Sequence, residues 1–447
     1  MLLRSLLARG LVAASFLALI SPNAMSQASA AAAPDMPHVE WSRQASIYQV
    51  NIRQHTKEGT LRAFAADLPR IRKMGVDILW FMPLQPIGKK ERKGGLGSYY
   101  SISDYTAVNP EFGTLDDAKA MVKEAHALGF KLILDWVPNH TAWDHPWTTQ
   151  HKDWYKLNDK GEIFPVTFLE GAEPEYWTDV VALDYRSEGL RKAMIAAMAF
   201  WLKDVGLDGF RCDVASLVPT DFWERARSEL DKIKPVFMLA ESDKPELHRR
   251  AFDMSYSWDL ADVFKDIGKG KAGAREMQAW LKAQNEGTAA KVYPGHAYRM
   301  RFTSNHDFNS WHGTDAELYG DAYQALAVLS FTLPGMPLIY GGQEARLGKR
   351  LAFFEKDQVA WQNYELQGFY TELLALKKNN PALANGQYGA KAEALDTGND
   401  KVFAFRRQQG GNVVTVAVNL SAAEQTYRLD GASEKLAPWR WAIAAKR

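Results

Sequence analysis

The feature that most restricts the fold is an alternation. From Trp41 onward, apolar runs of strand length are each followed by a stretch whose apolar residues recur every three or four positions. The runs fall at residues 46–54, 76–84, 131–137, 207–215, 236–241, 254–260, 298–305 and 337–341. Helical periods fall at 61–74, 114–128, 189–205, 220–233, 274–284, 316–333 and 367–378, and Gly129 stands as the stop of the second. Buried parallel strands joined by helices make either an open doubly wound sheet or a closed barrel. About eight repeats, with no phosphate-type glycine fingerprint after the first strand, predict the α/β class and a (β/α)8 barrel of the TIM type.

Two stretches break the rhythm. Residues 141–183 read as a loop-like insertion after the third strand, with Trp143, Trp147, Trp154 and Trp177 among Asp, His and Pro. Those rings either hold together an insert too small for a conventional core or supply sugar platforms. From 383 the helices stop and short alternating strands begin, which predicts a C-terminal antiparallel β-sandwich over 383–447. The barrel is then 41–140 together with 184–382.

The N-terminus reads as a processing segment. Arg4 and Arg9 precede an apolar run over 11–20, and small residues follow, with cleavage expected after Ser26 or Ala30. That run is too short to span a bilayer, and no cysteine is near to take a lipid. Residues 1–33 are expected to be a signal peptide and a disordered new end, with export to a periplasm or the medium and no stable membrane anchor.

Composition removes several function classes. The formal net charge of +1 gives no support to nucleic acid as partner. Cys212 is the only cysteine, which excludes an internal disulfide, and its place in an apolar strand makes it a small core residue. No Cys and His stand at zinc-ligand spacing.

A barrel of this kind builds its site at the C-terminal ends of its strands. Those ends carry Asp135, Asn139 and His140 after the third strand, and Arg211 with Asp213 on the fourth. Glu241 ends the fifth, and Asn305, His306 and Asp307 end the seventh. Any one of these could cap a helix or turn; charged and amide groups at four strand ends point to one shared mouth. Carboxylates without metal-ligand spacing suit glycosidic chemistry, in which one attacks the anomeric carbon and another protonates the leaving oxygen. Arg211 is expected to hold Asp213 ionised, and the apolar run before Glu241 to raise its pKa as an acid requires.

Four segments carry a resemblance. Asp135-Trp136-Val137-Pro138-Asn139-His140, Gly209-Phe210-Arg211-Cys212-Asp213, Leu239-Ala240-Glu241 and Phe302-Thr303-Ser304-Asn305-His306-Asp307 resemble, in order, the four signatures of the α-amylase family of retaining glycoside hydrolases. The resemblance covers nearly everything from Trp41 to the end. It implies that Asp213 is the nucleophile, Glu241 the general acid/base and Asp307 the carboxylate bracing the sugar hydroxyls. It implies that His140, Arg211 and His306 grip the sugar being cleaved and that Tyr100 stacks on it. Asp135 and Asn139 would orient Arg211 and the loop, and Asn305 would support its neighbours.

Many members of that family bind calcium through an asparagine matching Asn139, an aspartate and a histidine. Here the last two positions are Ala182 and Leu217, so no metal or other cofactor is expected. The expected substrate is a starch-like α-glucan or maltooligosaccharide, and the expected state a monomer. Two other functions remain open on these residues: a glucanotransferase on the same framework, and a non-catalytic sugar-binding barrel.

Overall fold

The computed structural model describes residues 36–168 and 175–446. The leader and cleavage sites expected over 1–33 lie outside them. Eight parallel strands close into a barrel: β1 (Ile47–Val50), β2 (Ile78–Phe81), β3 (Lys131–Trp136), β4 (Gly209–Cys212), β5 (Phe237–Ala240), β6 (Met254–Tyr256), β7 (Tyr298–Arg301) and β8 (Met336–Tyr340). They follow chain order around the ring, and β8 pairs with β1. Their residues are almost all buried, as a barrel packed inside by side chains and outside by helices requires.

Most strands are shorter than their apolar runs, because the polar ends turn outward to make the mouth. After β1 the chain enters a helical turn, Ile52–His55. The period over 61–74 becomes two helices, Leu61–Ala65 and Leu68–Met74, since Pro69 has no N–H to continue the ladder. The helix at Leu115–Ala127 starts on a reciprocal cap between Thr114 and Asp117. Residues 254–260, expected as one strand, divide into β6 and a helix at Trp258–Gly268. Leu260, Ala261, Phe264 and Ile267 of that helix are buried at helical spacing.

The insertion is more ordered than its sequence suggested. His140–Ala142, Glu175–Ala182 and Pro165–Phe168 form a three-stranded antiparallel sheet, so the insert begins one residue before the expected 141. Val166, Val180 and Ala182 make its small core, with Trp177 packed against them. Trp147 and Trp154 lie 5.0 Å apart, centroid to centroid, and pack on the main core. The tryptophans therefore divide: Trp143, Trp147 and Trp154 pack the insert on the barrel's core, while Trp177 reaches the mouth.

The C-terminal part is a four-stranded antiparallel sheet with a two-stranded hairpin over it. Period-two alternation sorts its faces. Phe403 and Phe405 join the barrel core, while Val402 and Ala404 pack with Tyr427 and Leu436 of the hairpin.

Candidate active site

The barrel register sets the centre. Asp135 on β3 pairs directly with Arg211 on β4, and Arg211 with Leu239 on β5. Arg211 is fully buried, so its charge must be matched by neighbours. Its Nη1 lies 2.7 Å from Asp135 Oδ1 and 3.0 Å from Asp213 Oδ1. Its Nη2 lies 2.6 Å from Glu241 Oε1, an ion-pair contact that falls off the N–H directions. Its Nε donates to the Tyr256 hydroxyl at 3.2 Å. Three carboxylates and a phenol surround the guanidinium beneath the cleft floor.

Asp135 is wholly buried and accepts from Arg211, from Trp80 Nε1 at 3.2 Å and from the Tyr100 hydroxyl at 2.9 Å. That phenol connects to His306, whose Nε2 is 2.7 Å away. The tautomer follows from Gln49. Its side-chain oxygen accepts the His306 backbone N–H at 3.2 Å, which turns its amide nitrogen toward His306 Nδ1 at 2.7 Å. Nδ1 therefore accepts, Nε2–H donates to Tyr100, and Tyr100 donates to Asp135. Burial lowers His306 to about 4, so the ring is neutral near pH 7.

Asp213 lies one residue beyond the end of β4. Val214 follows with φ +36°, a left-handed conformation costly for a β-branched residue, by roughly 1–3 kcal/mol. This turn points the Val214 N–H at Glu241 Oε2, 2.7 Å away. Backbone strain at 214 thus helps fix Glu241 beside Asp213.

The electrostatics correct one expectation. Arg211 does pull Asp213 down, but burial outweighs it and, with Asp135 and Asp307 adding repulsion, pushes Asp213 up to about 7. Burial pushes Glu241 further, to about 8, against the pull of Arg211. One guanidinium shared among three carboxyls leaves the group a proton at neutral pH, and Glu241 holds it most tightly.

These groups floor a cleft of about 640 Å³. Tyr100, His140, Asp213, Glu241, His306 and Asp307 line it directly. Asp307 Oδ2 is 3.2 Å from His306 Nε2 and is the most exposed of the three strand-end carboxylates, at 36 %. Burial lowers His140 to about 4, and its ring stands edge-on to Trp177. Asn139 does not reach Arg211; its amide nitrogen is 3.2 Å from His140 Nδ1. Asn305 accepts the Phe308 N–H at 2.8 Å and so caps the turn that carries Asp307.

Four contributors escaped the sequence reading. Gln49, Trp80 and Tyr256 bond the central groups, and Phe353 stacks near-parallel to Tyr100 at 6.2 Å. Gln49 and Tyr256 were legible as polar groups near the ends of β1 and β6. Phe353 sits in a long loop after β8 and gave no periodic signal.

Chemically, the floor offers a carboxylate for attack, a protonated carboxyl beside it, a third carboxylate at the rim and a flat aromatic face. Among the described residues no cluster of three His, Cys, Asp or Glu could hold a metal ion. The calcium positions fit poorly too. Ala182 pairs across strands with His140, and the Asn139 amide is turned to His140.

Comparison with known proteins gives one direction. The alpha amylase catalytic-domain family matches residues 42–365. An alpha-amylase of Haloarcula japonica is 28% identical over 413 residues, 88% of this chain and 58% of that protein. An alpha-1,4-glucan:maltose-1-phosphate maltosyltransferase of Streptomyces coelicolor is 27% identical over 416 residues, 84% of this chain and 58% of that protein. The chain thus spans 58% of the length of both relatives. The crystal structure of an alpha-amylase from Lactobacillus plantarum matches with a TM-score of 0.79 at 29% identity, covering 91% of this chain and 99% of that one.

Proposed function

The chain belongs to the alpha-amylase family, and from that premise we propose that it hydrolyses α-1,4-glucosidic bonds in starch-like polysaccharides or maltooligosaccharides with retention. The observation that carries the reading is the seating of Asp213 and Glu241 on one guanidinium at the floor of one cleft. In the first step an Asp213 oxygen bonds to the anomeric carbon while the bond to the leaving oxygen breaks, and Glu241 gives that oxygen its proton. In the second, Glu241 takes a proton from water, the water oxygen bonds to the same carbon, and Asp213 leaves. Asp307 braces the sugar hydroxyls, Tyr100 stacks on the ring, His140 donates to it as a neutral imidazole, and His306, whose one N–H goes to the Tyr100 hydroxyl, holds that aromatic ring in place. Asp135 positions Arg211, Asn139 positions His140 and Asn305 positions Asp307.

We read the chain as working without calcium, as a monomer, after export on the segment at 1–33. Among the described residues no helix is long and apolar enough to cross a membrane. A second reading, transfer of the glycosyl group to another sugar, draws support from the maltosyltransferase relative. Maltoheptaose tests both. Early products in the α-anomeric form and none longer than the substrate support hydrolysis, and products above seven units support transfer. No cleavage, or β-anomers first, contradicts the proposal.

A further inference from the structure

The loop between β2 and Tyr100, residues 88–98, touches both walls of the cleft. On the insertion side, the Lys89 and Lys90 N–H groups donate to Asp144 Oδ2 at 2.8 and 3.3 Å, and Lys93 Nζ lies 3.1 Å from Asp179 Oδ1. On the other side, the Leu96 N–H donates to the Phe354 carbonyl at 2.9 Å and the Gly95 N–H donates to Glu355 Oε1, both acceptors lying in the loop after β8. A Cβ on Gly94 would sit 2.5 Å from Phe354 Cβ, so the chain there is pressed against that wall. Arg92 ties the middle back to the Gly88 and Ile87 carbonyls, and Arg53 donates to the Gly97 carbonyl at 3.1 Å. The segment is a strap fastened at each end and along its length.

Its place in the ring gives it a direction. The insertion follows β3 and the Phe354 loop follows β8, so the strap arches over the β8–β1–β2–β3 side. Glu241 follows β5, diametrically opposite β1 in an eight-stranded ring. The leaving oxygen faces the acid, so the departing part of the glucan lies on the β5 side. The sugars on the other side of the cleaved bond run toward β1, under the strap. Lys93 and Asp179 both line the cleft there, and their paired charges face the hydroxyls of whatever sugar arrives.

We propose that this strap is a fixed end wall that seats the non-reducing end of an α-glucan, making the enzyme an exo-acting one that releases short products of set length. This rests on the hydrolytic reading above and adds to it the end of the chain that is read. The test compares maltoheptaose with maltoheptaose carrying a 4,6-benzylidene group on its non-reducing glucose, with disappearance followed by chromatography. Misplacement by an ångström costs about 10²-fold in rate, so the blocked substrate is expected to react at least ~100-fold more slowly. Free maltoheptaose is expected to yield one short product from the first minutes. The substitution Asp144→Ala releases the Lys89 and Lys90 N–H groups and so frees the insertion-side foot. It is expected to narrow the difference between the substrates about tenfold, on the scale of a group that shapes a site, while cleavage of free maltoheptaose and the melting temperature persist. Equal rates on both substrates in the unsubstituted enzyme, or an unchanged difference in the Asp144→Ala variant, overturn the wall. Failure to cleave free maltoheptaose overturns the hydrolytic reading instead, so the two failures are distinguishable.

Discussion

Asp135 and Asp213 share a single nitrogen of Arg211, with Nη1 at 2.7 Å from the first and 3.0 Å from the second. The sharing leaves neither carboxylate a cation of its own. It also leaves Glu241, on the adjacent nitrogen, as the group that keeps a proton when the others have lost theirs.

The pH profile follows. Attack needs Asp213 ionised, which occurs as pH rises through about 7, and leaving-group protonation needs Glu241 protonated, which ends near 8. The kcat/KM profile is expected to peak between these values. Asp135→Asn removes a negative charge that repels the other two, so both limbs should move to lower pH by on the order of one unit. Limbs that stay in place would show that Asp135 is electrostatically remote from the pair.

Glu241→Gln keeps the shape and removes the transferable proton. Its rate on unactivated maltooligosaccharides should fall by about 10²–10⁴, the usual worth of general acid catalysis. On an aryl α-maltoside with a good leaving group the loss should be much smaller. Equal losses on both, measured as kcat/KM, would remove the acid role.

The site should also be a source of instability. Burial raises the folded-state pKa of Asp213 above its unfolded value, so the stability this group contributes is fully present below about pH 4 and is lost as pH rises through about 7. Asp213→Asn is neutral at every pH. It should raise the melting temperature by about 2–4 °C at pH 8 and by less at pH 4, read by calorimetry. A variant less stable at pH 8 would mean the carboxylate is better paired than its burial indicates.

With Ala182 and Leu217 at two of the three positions, chelation should change neither melting temperature nor activity. A fall in either after dialysis against EDTA, restored by calcium, would show a site built from other ligands.

The groups readable in the sequence were those whose chemistry conflicts with their surroundings. Arg211 and Asp213 stand out in an apolar strand, and Glu241 at the end of another, because charge is costly there. The barrel was readable because each strand and helix carries its own period. Gln49, Tyr256 and Phe353 are ordinary residues in ordinary contexts, and only the ring brings them to Arg211, His306 and Tyr100. The insertion sheet was hidden because only Val166, Val180 and Ala182 form its core, too few for a period to emerge. The strap was hidden for another reason. Its lysines and glycines read as solvent loop, and their partners Asp144, Asp179 and Phe354 are distant in sequence.

The central claim is that a glucose ring becomes bonded to Asp213 during turnover. A 5-fluoro α-glucosyl fluoride, which slows breakdown of a glycosyl-enzyme, followed by proteolysis and mass spectrometry, tests it most directly. The account predicts one added glycosyl mass on the peptide containing Asp213, absent after Asp213→Asn. A label on another residue, or full turnover with Asp213 replaced, would contradict it.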